Sequence, residues 1–265
     1  MTEEAKLIAT QILEVIKGAK KILLHCHPNP DPDSVGSALG LYHALKALGK
    51  EPTVIKGDSP MPEYLSFLPG YETIVPKSYL EINPSDFDLF IVLDVSQVSR
   101  VSVLGEVKFP PTMRTILIDH HQSAEPFCQI NLVLSDYPAT AQILYELFKL
   151  WNLPLTESIA SCLFLGMYTD TGGFKYPSTR SSTLLAAAEL TTAAPNFSKL
   201  IHELENNNNP GQLRFEGLAM SSIEVVGQGK VGLVALSAEQ IKAAGLRSED
   251  TRGISIPNRL KSVRG

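Results

Sequence analysis

Five aspartates and three histidines fall into four short clusters of this chain: His27-Pro-Asn-Pro-Asp31-Pro-Asp33, Asp94, Asp119-His120-His121, and Asp170-Thr171-Gly172-Gly173. Carboxylates and imidazoles are the ligands that divalent cations take. Gathered in one place without cations, these groups would repel and desolvate one another. Together they point to a pair of metal ions and to hydrolysis.

The elements that must position them can be read from the apolar runs. Residues 21–26, Leu89–Leu93 and 115–118 are short, apolar and partly β-branched, the pattern of strands buried in a parallel sheet. The first three clusters each follow one of these runs, and ligands of open α/β sheets collect beyond the carboxyl ends of the strands. A further strand is expected at 51–56. Helices are expected at 3–18, 34–48, 139–150, 156–168, 180–191, 197–204 and 211–220. The predicted class is α/β, a doubly wound, mainly parallel sheet, with a helical connector and the start of a smaller C-terminal α/β domain. The expected boundaries are 1–192 for the first domain, 193–220 for the connector and 221–265 for the last piece. Within that piece a hairpin around Gly227-Gln228-Gly229 and a helix at 238–244 are predicted.

Each cluster has a plainer explanation. Asp33 or Ser34 could cap the following helix, but a cap accounts for one residue and leaves His27 and two aspartates unexplained. Asp31 and Asp33 are two apart in a Pro-rich loop, so they point different ways and can each serve a different metal. Asp94 alone would more often be a turn residue with a solvated carboxylate. Three adjacent ionisable groups closing a buried strand, as at Asp119-His120-His121, are costly without a partner. Asp170 ends a helical segment, where its charge opposes the macrodipole and calls for a cation. His25 reads as a hydrogen-bonded core histidine, His43 and His202 as surface residues, and Trp151 as packing at a helix end. Arg100, Lys175 and Arg180 flank the clusters and are candidates for phosphate oxygens.

A formal net charge of −5 argues against gripping long duplex DNA by bulk electrostatics. No stretch approaches the length of a membrane span, the N-terminus lacks the features of a signal peptide, and the 3 cysteines are dispersed in apolar runs. A reduced, cytoplasmic protein is the expectation.

The order His-x-x-x-Asp-x-Asp, a lone Asp after a strand, Asp-His-His and Asp-Thr-Gly resembles the DHH phosphoesterase superfamily. The loop from His27 to Ser37, the stretch Asp170-Thr-Gly-Gly-Phe-Lys-Tyr176 and Ala139-Thr140-Ala-Gln-Ile-Leu-Tyr145 look like the branch of bifunctional oligoribonucleases and 3′-phosphoadenosine-5′-phosphate phosphatases. The resemblance implies one metal held by His27, Asp31 and Asp94, and another held by Asp33, Asp94, His120 and Asp170, with Asp94 bridging. It implies that Asp119 orients His120 from behind and that His121 faces the scissile phosphate, with Arg100 steadying charge. Lys175, Arg180 and Thr171 would meet substrate. The implied cofactors are two Mn²⁺ ions, with Mg²⁺ or Co²⁺ as substitutes.

The implied activity is two-metal hydrolysis of short single-stranded oligonucleotides or 3′,5′-nucleoside bisphosphates, with no long duplex DNA, no membrane and a homodimer as one assembly. Alternatives are a pyrophosphatase or polyphosphatase, a cyclic-dinucleotide phosphodiesterase, a single-strand exonuclease, or a non-catalytic nucleotide-binding module. Relatives of this branch carry a second, DHHA1-type domain with a Gly-Gly-Gly-His segment. Residues 221–265 resemble its opening, and that segment does not occur in the 265 residues, which leaves a fragment or a natural short form as expectations.

Overall fold

The computed structural model of the chain describes residues 1–206, 209–251 and 256–260. Five parallel strands form one sheet in the order β2-β1-β3-β4-β5, with β1 at Lys21–His25, β2 at Glu51–Ile55, β3 at Leu89–Leu93, β4 at Arg114–Asp119 and β5 at Ile130–Val133. Pro52 sits in β2, an edge strand, where a missing ladder donor is tolerated. β5 has no counterpart among the expected strands. Its four residues, Ile-Asn-Leu-Val, bury only Leu132, so its apolar signal is too short and too broken to stand out.

Alternation along the strands assigns each face. Ile22, Leu24, Leu89, Ile91, Leu93, Ile116 and Ile118 enter one core together with the helices α1 (Glu3–Gly18), α2 (Pro32–Ala47), α3 (Thr140–Leu150), α4 (Glu157–Asp170) and α5 (Ser181–Ala193). Leu23, Phe90, Val92 and Leu117 point the other way, into a smaller core. That face is closed by 3-10 turns and connecting segments carrying Tyr79, Val101, Phe109 and Phe127. Phe90 stacks on Tyr79 at 5.4 Å between centroids.

The helix α2 begins where Asp31 accepts a hydrogen bond from the Ser34 N–H at 2.9 Å and Pro32 occupies the first turn. It packs closely on α4 because glycines stand at the crossing. A Cβ on Gly36 would collide with the Cys162 carbonyl, and one on Gly166 would lie 2.6 Å from Asp33 Oδ1. This approach sets Asp33, near the start of α2, beside the C-terminal end of α4, where Asp170 is.

Two compact units result, Met1–Leu204 and Glu205–Gly265. The expected connector is therefore divided. Phe197, Leu200, Ile201 and Leu204 of α6 (Phe197–Glu205) pack on the first core, whereas α7 (Pro210–Ser221) belongs to the second unit. That unit also contains the antiparallel pair β6 (Glu224–Val226) and β7 (Val231–Leu233), followed by α8 (Ala238–Ala243) and α9 (Ile256–Leu260). The turn between β6 and β7 runs through positive φ at Gly227, Gln228 and Gly229, as the glycines there predict. No described helix is long and apolar enough to cross a membrane.

Candidate metal centre

The clusters do converge at the carboxyl edge of the sheet. Asp94 follows β3 directly, in the left-handed region at φ 58°, and its carboxylate lies between two imidazoles. Oδ2 is 3.5 Å from His27 Nε2, and Oδ1 is 3.4 Å from His120 Nε2. A strained backbone angle at a non-glycine residue costs on the order of 1–3 kcal/mol and persists only where the surroundings impose it. Here the Asp94 N–H bonds to the Ile118 carbonyl, and the Thr140 hydroxyl donates to Oδ1 at 3.0 Å.

His27 stands near the start of the loop after β1, and Nδ1 bonds to the Pro28 carbonyl at 2.9 Å, which leaves Nε2 facing the cluster. Asp31 Oδ1 is 3.8 Å from the same Nε2. Asp31, rather than Asp33 or Ser34, is the cap of α2. Asp33 is fully buried. Its Oδ2 accepts from the Thr140 N–H at 2.7 Å, and its Oδ1 from the Ala141 N–H at 3.0 Å, so the open N-terminus of α3 holds it. His120 Nε2 lies 3.4 Å from Asp170 Oδ2 and 4.0 Å from Asp33 Oδ2. Two donor triads are thus in place, His27/Asp31/Asp94 and Asp33/His120/Asp170, with Asp94 next to both. A third grouping joins Asp94, His120 and His121.

Asp119 departs from the expected role. Its buried Oδ1 accepts from the His120 backbone N–H at 2.9 Å and bonds His121 Nδ1 at 2.7 Å, so it orients the ring of His121 and not that of His120. Its Oδ2 is buried with no partner among the described residues. His121 is half-exposed beside the cluster.

The electrostatics reveal what the cluster lacks. Burial, reinforced by the Asp94 charge, pushes the Asp33 carboxyl up to about 7. Burial and the charges of Asp33, Asp31 and Asp94 push Asp170 up to about 9. Desolvation pulls His27 and His120 down, but their carboxylate neighbours outweigh it and raise both to about 10. Burial also opposes the charge on Asp94, yet His120 and His27 hold its carboxyl far below the usual range. The pocket therefore retains protons for want of other positive charge. A divalent cation in each triad would replace those protons, with the mixed N/O donor set that suits one.

The remaining candidates fall elsewhere. His25 is buried, accepts from the Leu93 N–H at 3.4 Å and meets Phe90 edge-on, a core histidine kept neutral by burial. Arg100 and Lys175 are exposed. Arg180 is engaged at 2.8 Å with Asp136. Thr171 is wholly buried, donating to the Met167 carbonyl at 2.7 Å and accepting from the Phe174 N–H at 3.0 Å, so it shapes the Gly172-Gly173 turn and has nothing to offer a substrate. His43, expected at the surface, is half-buried and bonds the Pro69 carbonyl at 2.9 Å. Trp151 caps α3 and donates to the Ala9 carbonyl at 3.1 Å. Thr140 was assigned no role by sequence reasoning. Its place as first residue of a helix, just after Pro138-Ala139, is the signal that could have drawn attention to it.

The model of the DHH family, N-terminal domain, matches residues 21–167. The chain belongs to the DHH family. A Thermus thermophilus protein named bifunctional oligoribonuclease and PAP phosphatase NrnA is 34% identical over 221 residues, covering 83% of this chain and 64% of that relative. A Streptococcus thermophilus protein named as a probable manganese-dependent inorganic pyrophosphatase is 25% identical over 176 residues, covering 66% of this chain and 56% of the relative. The DHH chain thus spans less than two thirds of the length of these curated relatives. Among solved structures, an exopolyphosphatase-related protein from Bacteroides fragilis is similar with a TM-score of 0.88 at 26% identity, covering 100% of this chain and 79% of that one.

Proposed function

We propose that this DHH chain is a phosphoesterase that uses two divalent cations, Mn²⁺ by preference, to hydrolyse short single-stranded oligonucleotides or 3′,5′-nucleoside bisphosphates. The observation that carries the reading is Asp94, one buried carboxylate whose two oxygens each approach the imidazole of a different donor triad. One triad, His27/Asp31/Asp94, would hold one ion, and Asp33/Asp94/His120/Asp170 the other. The relative named as a bifunctional oligoribonuclease and PAP phosphatase supports the substrate class, and the one named as manganese-dependent supports the metal.

Bound there, a metal pair supplies Lewis-acid polarisation of the phosphoryl oxygens and water of lowered pKa. The chain's own residues do the rest. Thr140 and the N-terminus of α3 fix Asp94 and Asp33, so the ligands need no reorganisation. Asp119 accepts a hydrogen bond from the Nδ1–H of His121 and raises the affinity of that ring for a second proton, so Nε2–H can donate to a phosphate oxygen or to the leaving group. Arg100 and Lys175, exposed on the segments after β3 and α4, supply charge for further phosphates.

The test is hydrolysis by the purified chain, with and without Mn²⁺, of a dinucleotide, a 3′,5′-bisphosphate, pyrophosphate and an activated diester. Metal-dependent release of mononucleotide supports the reading. Faster release of phosphate from pyrophosphate than from either nucleotide would replace the substrate class. Nucleotide binding with no turnover of any of the four would make the chain a binding module.

A further inference from the structure

Thr140, the first residue of α3, is wholly buried and makes two hydrogen bonds into the acidic cluster. Its N–H donates to Asp33 Oδ2 at 2.7 Å, and its hydroxyl donates to Asp94 Oδ1 at 3.0 Å. One residue thus grips a carboxylate of each donor triad, Asp94 of His27/Asp31/Asp94 and Asp33 of Asp33/His120/Asp170. The two grips are unequal. Asp33 also receives the Ala141 N–H at 3.0 Å and the Ser37 hydroxyl at 3.3 Å, so it would stay in place with one donor fewer.

The carboxylate of Asp94 is held differently. Nearest to it are the Nε2 atoms of His27 and His120, at 3.5 and 3.4 Å, and the Thr140 hydroxyl. Those nitrogens are the atoms the imidazoles would give to cations, so the hydroxyl is the donor that stays with Asp94 once the triads are filled. The backbone of Asp94, at φ 58° and bonded to the Ile118 carbonyl, fixes where its side chain starts. It does not fix the plane of the carboxylate, because the last torsion of an Asp side chain is broad. Thr140 supplies that constraint, and its own β-branching restricts the torsion that aims the hydroxyl.

We propose that Thr140 is a positioning residue whose hydroxyl keeps one oxygen of Asp94 for each triad, Oδ2 for that of His27 and Oδ1 for that of His120. Without the hydroxyl the carboxylate is free to turn both oxygens to one triad and leave the other a ligand short. The inference rests on the two-cation reading of the site and not on the identity of the substrate. It separates the two bonds of Thr140: the backbone N–H serves Asp33 whatever the side chain is, and the side chain serves Asp94.

Mn²⁺ is titrated calorimetrically into the whole metal-free chain, Thr140→Val and Thr140→Ser, and the loaded proteins are compared by electron paramagnetic resonance. Wild type should take up two ions and give the spectrum of a coupled pair. Thr140→Val, which keeps the shape and the backbone N–H, should bind one ion as wild type does and the second about 10–100-fold more weakly, the usual loss for a partner of a metal ligand. Its spectrum should be that of isolated Mn²⁺. Thr140→Ser returns the hydroxyl and should restore both the second affinity and the coupled spectrum, which a role in packing alone would not do. If Thr140→Val does not fold, Thr140→Ala takes its place with the same expectations. Two ions bound with wild-type affinities and a coupled spectrum in the hydroxyl-free variant would overturn the role of Thr140 and leave the two-cation reading standing. So would a Thr140→Ser variant no better than Thr140→Val. A wild-type chain that binds fewer than two ions would overturn both.

Discussion

The carboxylate of Asp119 and the ring of His121 form a pair, Oδ1 to Nδ1 at 2.7 Å, at the end of β4. The adjacent His120 ring turns away, toward Asp94 and Asp170. In the proposed reaction two neighbouring histidines would thereby have different tasks, one as ligand and one as an oriented donor.

From this pair follows a first expectation. Asp119→Asn should cut turnover by about 10²-fold or more, within the range of a positioned acid or base, while the metal content of the purified protein stays at the wild-type level. Metal analysis alongside kcat distinguishes the outcome. Loss of metal would return Asp119 to the support of His120.

His120→Ala should lower metal affinity by at least about 10–100-fold, since loss of a residue that only supports a ligand already reaches that range. His121→Ala should retain the metals and lose the chemical step. Equal Mn²⁺ affinity for both variants, measured by calorimetry, would show that His120 is no ligand.

Gly166→Ala tests the packing that brings Asp33 and Asp170 together. The added Cβ would stand 2.6 Å from Asp33 Oδ1 and 2.9 Å from Ala141 Cβ, both on rigid elements. Overpacking of this kind costs about 1–3 kcal/mol, so the melting temperature should fall and metal affinity with it. A variant as stable and as tightly metal-binding as wild type would show that α2, α3 and α4 can separate without consequence.

The metal-free chain should lose stability as pH rises. Asp33 and Asp170 keep their protons up to about 7 and about 9 in the folded state, against an ordinary 3.8 when unfolded. His27 and His120 keep theirs up to about 10, against 6.5. In all four cases the folded chain binds more protons between those limits, so unfolding becomes easier with each step upward in pH. Asp94, held low, acts oppositely but has contributed fully once the pH is above its unfolded value of 3.8. Thermal melts in chelator should therefore fall from about pH 5 to about pH 9, and added Mn²⁺ should flatten the slope, because metal replaces the protons. A slope unchanged by metal would contradict the placement of the ions.

Much of this was legible in the residues. Apolar runs ending in His27, Asp94 and Asp119 named three strands and one edge of a parallel sheet, because buried strands declare themselves by continuous hydrophobicity. β5 did not, since only Leu132 of its four residues is buried. The ligand clusters were legible because such charge at a buried strand end has few other uses. Side-chain direction was not. Which imidazole Asp119 would reach depends on the turn after β4, and Thr171 disappears into hydrogen bonds that spacing alone does not reveal. Arg180 is near Asp170 in sequence, which makes it a candidate for phosphate oxygens, but the fold pairs it with Asp136.

The most direct test is on Asp94, the carboxylate that both triads approach. Mn²⁺ is titrated into the metal-free chain and into Asp94→Asn, with hydrolysis of a dinucleotide followed in the same samples. The expected result is two ions per wild-type chain with turnover, and in Asp94→Asn loss of at least one ion together with nearly all activity, because the neutral amide no longer offsets the repulsion between two cations. Two tightly bound ions and near-normal turnover in Asp94→Asn would contradict the shared site at its centre.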